Sequence, residues 1–230
     1  MGRVRGPPLT PAGVRQARTT GRLLRGADPA VDAVFASPFV RAAGTAHHVA
    51  RVLDAPVRVE AGLSEHLNPE WFDARPATLD ASGLAARLST VGADPTSLVE
   101  PAFPESWPAC AARTATAARR LLDAHPGTLL LVGHGATVGG VVEGLAGPGA
   151  DVPAPYCGLT RLDRVREDEG DGDGDGEGGG DERGGGGDAE RGERVGDRPR
   201  NGDADADADG GGNGDGGGRW RVVDAGRTAY

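Results

Sequence analysis

Helix-like and strand-like stretches alternate along the first 165 residues, and their borders carry recognisable start and stop signals. Leu9-Thr10-Pro11-Ala12-Gly13-Val14 predicts a helix start with Thr10 as N-cap and Pro11 at the first helical position, running to about Leu24. Ala30–Ala36, apolar at Val31, Val34 and Phe35, predicts a short strand. It ends at Ser37-Pro38-Phe39-Val40-Arg41, where a second helix begins and continues to about Leu53. Val57–Glu60 predicts another strand, leading into Ala61-Gly62-Leu63-Ser64-Glu65-His66. Leu67–Phe103 is irregular and rich in proline and aromatics, with one helix expected near Ser82–Thr90. Trp107–Ala124 is Ala- and Arg-rich and predicts a long helix.

The apolar run Thr128-Leu129-Leu130-Leu131-Val132 predicts a buried parallel strand. Gly133-His134-Gly135 follows it, and Ala136-Thr137-Val138 opens the next helix. Cys157–Val165 and Arg219–Asp224 each alternate apolar and polar residues, as two neighbouring strands joined by a greatly expanded loop would. Strands alternating with helices imply an α/β fold, a three-layer α/β/α arrangement around a mostly parallel sheet. The expected organisation is one domain, residues 1–166 plus 219–230, interrupted by an insertion at 167–218.

Composition changes this picture in one place. The chain of 230 residues has a net charge of −9, yet residues 167–218 alone hold 18 acidic residues against five arginines. The remainder is mildly basic. With 21 glycines besides, the insertion has almost nothing to bury and is expected to be a disordered, self-repelling loop. Its Asp-Gly alternation lacks the nonapeptide period and apolar position of calcium-binding repeats. Cys110 and Cys157 have no CxxC spacing and read as reduced thiols. The first eight residues hold no apolar core of a secretory signal, and no apolar stretch approaches the roughly 18 residues of a membrane span. A cytoplasmic protein is expected, with no nucleic-acid or membrane partner, no metal and no cofactor. Any protein partner of the acidic loop is left open.

Candidate chemistry begins with His134. An imidazole at the carboxyl end of a parallel strand, where a helix starts, stands where open α/β sheets bind ligands and where a helix N-terminus favours anions. The plain alternative is a loop histidine without a role. His47 and His48 are adjacent on a helix, face different directions and read as surface residues. His66 could line a pocket mouth or face solvent. His125, before Pro126, reads as a helix end.

Taken in order, Leu9-Thr10-Pro11-Ala12-Gly13 with Gln16-Ala17, Ser37-Pro38 with Arg41 and Thr45-Ala46, Leu63 with Glu65, Pro104-Glu105-Ser106, Val132-Gly133-His134-Gly135 and Trp220-Arg221-Val222-Val223 resemble the histidine phosphatase superfamily, also called phosphoglycerate mutase-like. The resemblance covers nearly all of the chain except the acidic loop. It implies a three-layer α/β/α fold with an antiparallel edge strand, and phosphoryl transfer through a phosphohistidine to or from a small phosphorylated metabolite. By position, Arg41 matches a phosphate-binding arginine, Glu65 the proton donor, and His134 the second histidine of the phosphate cage, both catalytic and phosphate-binding. An arginine fork and imidazoles around the equatorial oxygens stabilise charge on the transferring phosphoryl group, and a carboxyl group of raised pKa can act as general acid.

One part of the pattern is missing. The family's first strand and its Arg-His-Gly motif would precede Leu9, but Arg3-Val4-Arg5-Gly6 offers neither imidazole nor apolar strand, and the first histidine is His47. As written, the chain is expected to lack its nucleophile and to be inactive. A start placed too far downstream explains this better than degeneration, because losing a central strand leaves buried backbone groups unpaired at about 1–3 kcal/mol each. The expected function is a phosphatase, since the segment between Glu65 and Glu105 is short for a mutase. The alternatives are a phosphoglycerate mutase-type phosphotransferase and a non-catalytic phosphate-binding or scaffold relative.

Overall fold

Two helix starts show how closely local signals set the architecture. In a computed structural model, which describes residues 6–94, 97–150, 152–165 and 220–228, α1 (Pro11–Arg25) begins where Thr10 accepts the Gly13 amide at 3.1 Å. Likewise α4 (Trp107–Ala124) begins where Ser106 accepts the Ala109 amide, with proline in its first turn. Between them lie β1 (Ala33–Ala36), α2 (Val40–Leu53), β2 (Val57–Val59), a short 3₁₀ turn (Ala61–Leu63) and α3 (Ala81–Ala85). After α4 come β3 (Leu129–Val132), α5 (Gly135–Ala146), β4 (Leu159–Arg164) and β5 (Trp220–Arg227).

The strands β2, β1 and β3 form a parallel sheet in that order, with Val34 opposite Val57 and Leu130, and Ala36 opposite Val59 and Val132. Side chains alternate across it. Val34, Ala36, Leu130 and Val132 face α2, where Ala43, Ala46 and Ala50 pack closely. Phe35, Leu129 and Leu131 face α4, meeting Ala117 and Leu121. Helices thus cover both faces, and the three layers expected from the sequence are present.

Two local readings change. The helix expected near Ser82–Thr90 is a single turn at Ala81–Ala85, capped by Asp80. The chain then extends, and Val57 bonds the Thr90 carbonyl and the Gly92 amide, so Val91 bridges to the sheet edge instead of continuing the helix. The two strands after residue 157 do pair antiparallel, from Leu159 with Arg227 to Arg164 with Trp220. Among the described residues they form a separate two-stranded ribbon rather than an edge of the parallel sheet. There β3 pairs with β1 alone, and a cleft of about 540 Å³ separates it from the start of β4. The acidic insertion lies outside the described residues. Cys110 and Cys157 are free thiols, and among the described residues no helix is long and apolar enough to cross a membrane.

The helix that carries His134 at its head is held by close backbone packing. A Cβ at Gly140 would overlap Thr114 Oγ1 and stand 2.7 Å from Ala111 Cα, and one at Gly144 would overlap Ala115 Cβ. Relief would require α4 and α5 to separate. Gly140→Ala is therefore expected to lower stability by about 1–3 kcal/mol, read as a lower midpoint in urea unfolding. Gly147→Ala meets no side chain or backbone within 4 Å but sits at positive φ, so any loss there comes from the backbone alone.

Candidate active site

Strands β1 and β3 end side by side, and the helix after each starts there. Ser37 donates its amide to the Val132 carbonyl at 2.9 Å, carrying the pairing one residue past β1. Arg41 lies in the first turn of α2, and His134 is the N-cap of α5. Two helix N-termini at the carboxyl edge of a parallel sheet favour an anion.

Glu65 comes from the turn after β2 and completes the cluster. Arg41 Nη2 donates to Glu65 Oε2 at 2.9 Å and lies 3.1 Å from His134 Nδ1, which is itself 3.3 Å from Glu65 Oε2. The three residues read from the sequence are therefore in mutual contact, although 93 positions separate Arg41 from His134. They line the cleft beside β3 together with Leu131, Tyr156 and Leu159. Its volume lies within the range of small-molecule sites.

The side chains beneath are fixed by partners to which the sequence reading gave no role. The His134 ring is buried, and its Nε2 meets Ser37 Oγ at 2.9 Å. Nδ1 faces both the Arg41 guanidinium and the Glu65 carboxylate, so a hydrogen there donates to Glu65 Oε2 and a bare Nδ1 accepts from Arg41. Phe39 packs edge-on against the His134 ring at 5.1 Å and takes the Arg41 guanidinium over its face at 4.9 Å. The His134 amide donates to Thr137 Oγ1 at 3.1 Å, and that hydroxyl donates onward to the Leu63 carbonyl at 2.9 Å. A Cβ at Gly133 would stand 2.7 Å from Thr137 Cβ, which explains the glycine before the histidine.

Charge follows from this geometry. Burial pushes His134 down and outweighs the opposite pull of Glu65, with Arg41 and Arg113 adding to the lowering. The imidazole is neutral near neutral pH. Burial alone would raise Glu65, but the His134 hydrogen bond and charge, the His66 amide and Arg41 together hold it down to about 2. The raised carboxyl that proton donation needs is thus absent in this arrangement. Glu65 is an ionised partner of Arg41.

Three histidine readings change as well. His47 is buried, not at the surface, and its Nδ1 lies 2.8 Å from Thr90 Oγ1. His48 is half-buried with its ring 5.0 Å from that of His47, and burial and neighbouring arginines push both down. His66 neither faces solvent nor lines the cleft: it is buried, its Nε2 bonded to the Glu105 carbonyl at 3.1 Å and its ring between Trp71 and Trp107. His125 does close α4, as its position before Pro126 implies.

A family model described as histidine phosphatase superfamily (branch 1) matches residues 1–170. Among curated proteins, the transcription factor tau 55 kDa subunit of Saccharomyces cerevisiae is 38% identical over 63 residues, 27% of this chain and 14% of that protein. Among solved structures, the ecdysone phosphate phosphatase from Bombix mori in complex with tungstate aligns with a TM-score of 0.54 at 24% identity, over 65% of this chain and 61% of that one. The chain thus spans less than two thirds of either of these two relatives. A structure described as mycobacterial hydrolase 1 gives 0.54 at 18% identity, covering 96% and 87% of the two chains. A mycobacterial glucosyl-3-phosphoglycerate phosphatase with inorganic phosphate gives 0.51 at 18%, covering 96% and 88%. These structures share the fold.

The depressed carboxyl makes a stability prediction of definite sign. Glu65 titrates at about 2 in the folded chain against an ordinary 4.5. Its stabilisation is therefore complete above about pH 5 and is lost as pH falls toward 2. It amounts to something on the order of 2–3 kcal/mol. In urea unfolding, Glu65→Gln should trail the parent at pH 5, and the gap should shrink by pH 3. A gap that is the same at pH 5 and pH 3 would contradict the ionised pairing.

Proposed function

The chain belongs to the histidine phosphatase superfamily, and on that premise we propose that Arg41, Glu65 and His134 form the phosphate site of a phosphatase for small phosphorylated metabolites. The observation that carries the reading is the mutual contact of these three side chains, 2.9–3.3 Å apart, at the head of two helices. A guanidinium fork, helix-start amides and a neutral imidazole together suit a tetrahedral oxyanion.

In this reading Arg41 turns from Glu65 toward the phosphate. Glu65 then loses its positive partner and faces a dianion, and both changes drive its carboxyl upward. Bound phosphate would thereby convert an ionised carboxylate into a group able to protonate a leaving oxygen. His134, neutral, would accept or donate at the same oxygens.

Transfer through a phosphohistidine needs an imidazole free to attack phosphorus. His134 is unsuited to that attack, because Nε2 is engaged by Ser37 and Nδ1 by Arg41. Among the described residues no other imidazole is bonded to the Arg41–Glu65 pair: the rings of His47, His66 and His125 contact Thr90, Glu105 and Phe35, and that of His48 lies beside His47. The reading is therefore that these 230 residues bind the phosphoryl group, and that turnover needs a further imidazole in the cleft. The short segment between Glu65 and Glu105 favours a phosphatase over a mutase.

Calorimetry with inorganic phosphate tests the binding half. The parent should bind, Arg41→Ala should lose at least about tenfold in affinity, and Glu65→Gln should bind as well or better because a like charge is removed. Equal binding by the parent and Arg41→Ala would overturn the site. For the catalytic half, the 230-residue chain should leave p-nitrophenyl phosphate unhydrolysed. Turnover that His134→Ala abolishes would mean that the nucleophile is already present.

A further inference from the structure

A buried ion pair outside the Arg41–Glu65–His134 cluster grips the turn from which Glu65 projects. Arg113, inside α4, and Glu105, just before it, pair at 2.6 Å and 3.0 Å with almost no exposure. Apart from a contact of Arg113 Nη2 with Cys110 Sγ at 3.3 Å, their remaining bonds converge on residues 62–67. Arg113 Nη1 donates to the Gly62 carbonyl at 2.7 Å and the Ser64 carbonyl at 3.2 Å, and Nη2 to the Glu65 carbonyl at 3.1 Å. Glu105 Oε1 accepts the Leu67 amide at 2.9 Å, the Glu105 amide donates to the Leu67 carbonyl at 3.2 Å, and the Glu105 carbonyl takes His66 Nε2.

One peptide unit links this clamp to the carboxylate. The carbonyl of Glu65 accepts from Arg113, while the amide on the opposite side of the same plane, that of His66, donates to Glu65 Oε1 at 3.1 Å. In a planar trans peptide the two groups point in opposite directions, so fixing one fixes the other. Glu65 Oε1 is thereby anchored and Oε2 is left toward Arg41 and His134. We propose that Arg113 and Glu105 are positioning residues of the phosphate site, setting the Glu65–His66 peptide so that the Glu65 carboxylate meets Arg41 and His134. The proposal rests on the phosphate-site reading for its function, but the positioning itself does not depend on phosphate.

Removing one partner alone would leave a buried unpaired charge and endanger the fold. Two gentler variants avoid this. Arg113→Lys keeps the charge opposite Glu105 but loses the planar fork that reaches three carbonyls. The double variant Arg113→Gln with Glu105→Gln removes both charges together. Carbon-detected NMR of the Glu65 carboxyl in phosphate-free protein is the decisive readout, because destabilisation alone does not move the titration of the folded molecules. In both variants the Glu65 midpoint should rise by about one unit or more from its depressed value, while phosphate affinity should hold or rise, as in Glu65→Gln. An unmoved Glu65 midpoint in both, with only the unfolding midpoint lowered, would overturn the proposal and leave the pair structural. A moved midpoint in the variants of a parent chain that itself binds no phosphate would uphold the positioning and sink the phosphate reading.

Discussion

The site depends on one constraint, the in-register parallel pairing of β1 with β3. Because Ala36 stands opposite Val132, both strands run out at the same level and both following helices start side by side. Arg41 and His134 have no local reason to meet. Strand register brings them together, and a slip by one residue would turn Phe35 and Val34 to the wrong faces before it disturbed the site. Packing on both sides of the sheet therefore protects the chemistry at its edge.

Charge at the cluster is balanced without any ligand. Arg41 is divided between a carboxylate and a neutral imidazole, and Glu65 holds a charge that burial would otherwise discourage. Such a triangle is self-consistent but not inert: each member has a second partner that an incoming anion could recruit. Phe39 and Ser37 limit how far the ring and guanidinium can travel, since both are themselves buried.

Much of this is legible in the residues. Thr10 with Pro11 and the Gly-His-Gly turn after an all-apolar run are short-range signals with short-range causes, and the elements they mark begin within a residue or two of them. The three site residues come from ordered motifs in the resemblance to a known family, not from spacing, and the structure brings them into contact. What stays hidden depends on direction of burial. Arg113 sits in an Ala- and Arg-rich helix, where Arg119 and Arg120 look the same in one dimension; only the packing shows it turned inward to three carbonyls. The expectations for His47 and His66 fail for the same reason, because a helix or loop position says nothing about what covers it. A raised Glu65 carboxyl is what proton donation asks for, and its lowering comes from Arg41 and His134 arriving from distant parts of the chain.

The seam between α4 and α5 has an implication for how this molecule can change over time. Gly140 and Gly144 lie against Ala111, Thr114 and Ala115 with no room for an added methyl group. One of these helices carries the arginine that grips the Glu65 turn, and the other begins at His134. The two helices are packed too closely for either to gain bulk alone, so a larger side chain at any of these five positions requires a matched change across the seam. Substitutions along the cleft meet no such packing at Tyr156, which lines it and is largely exposed.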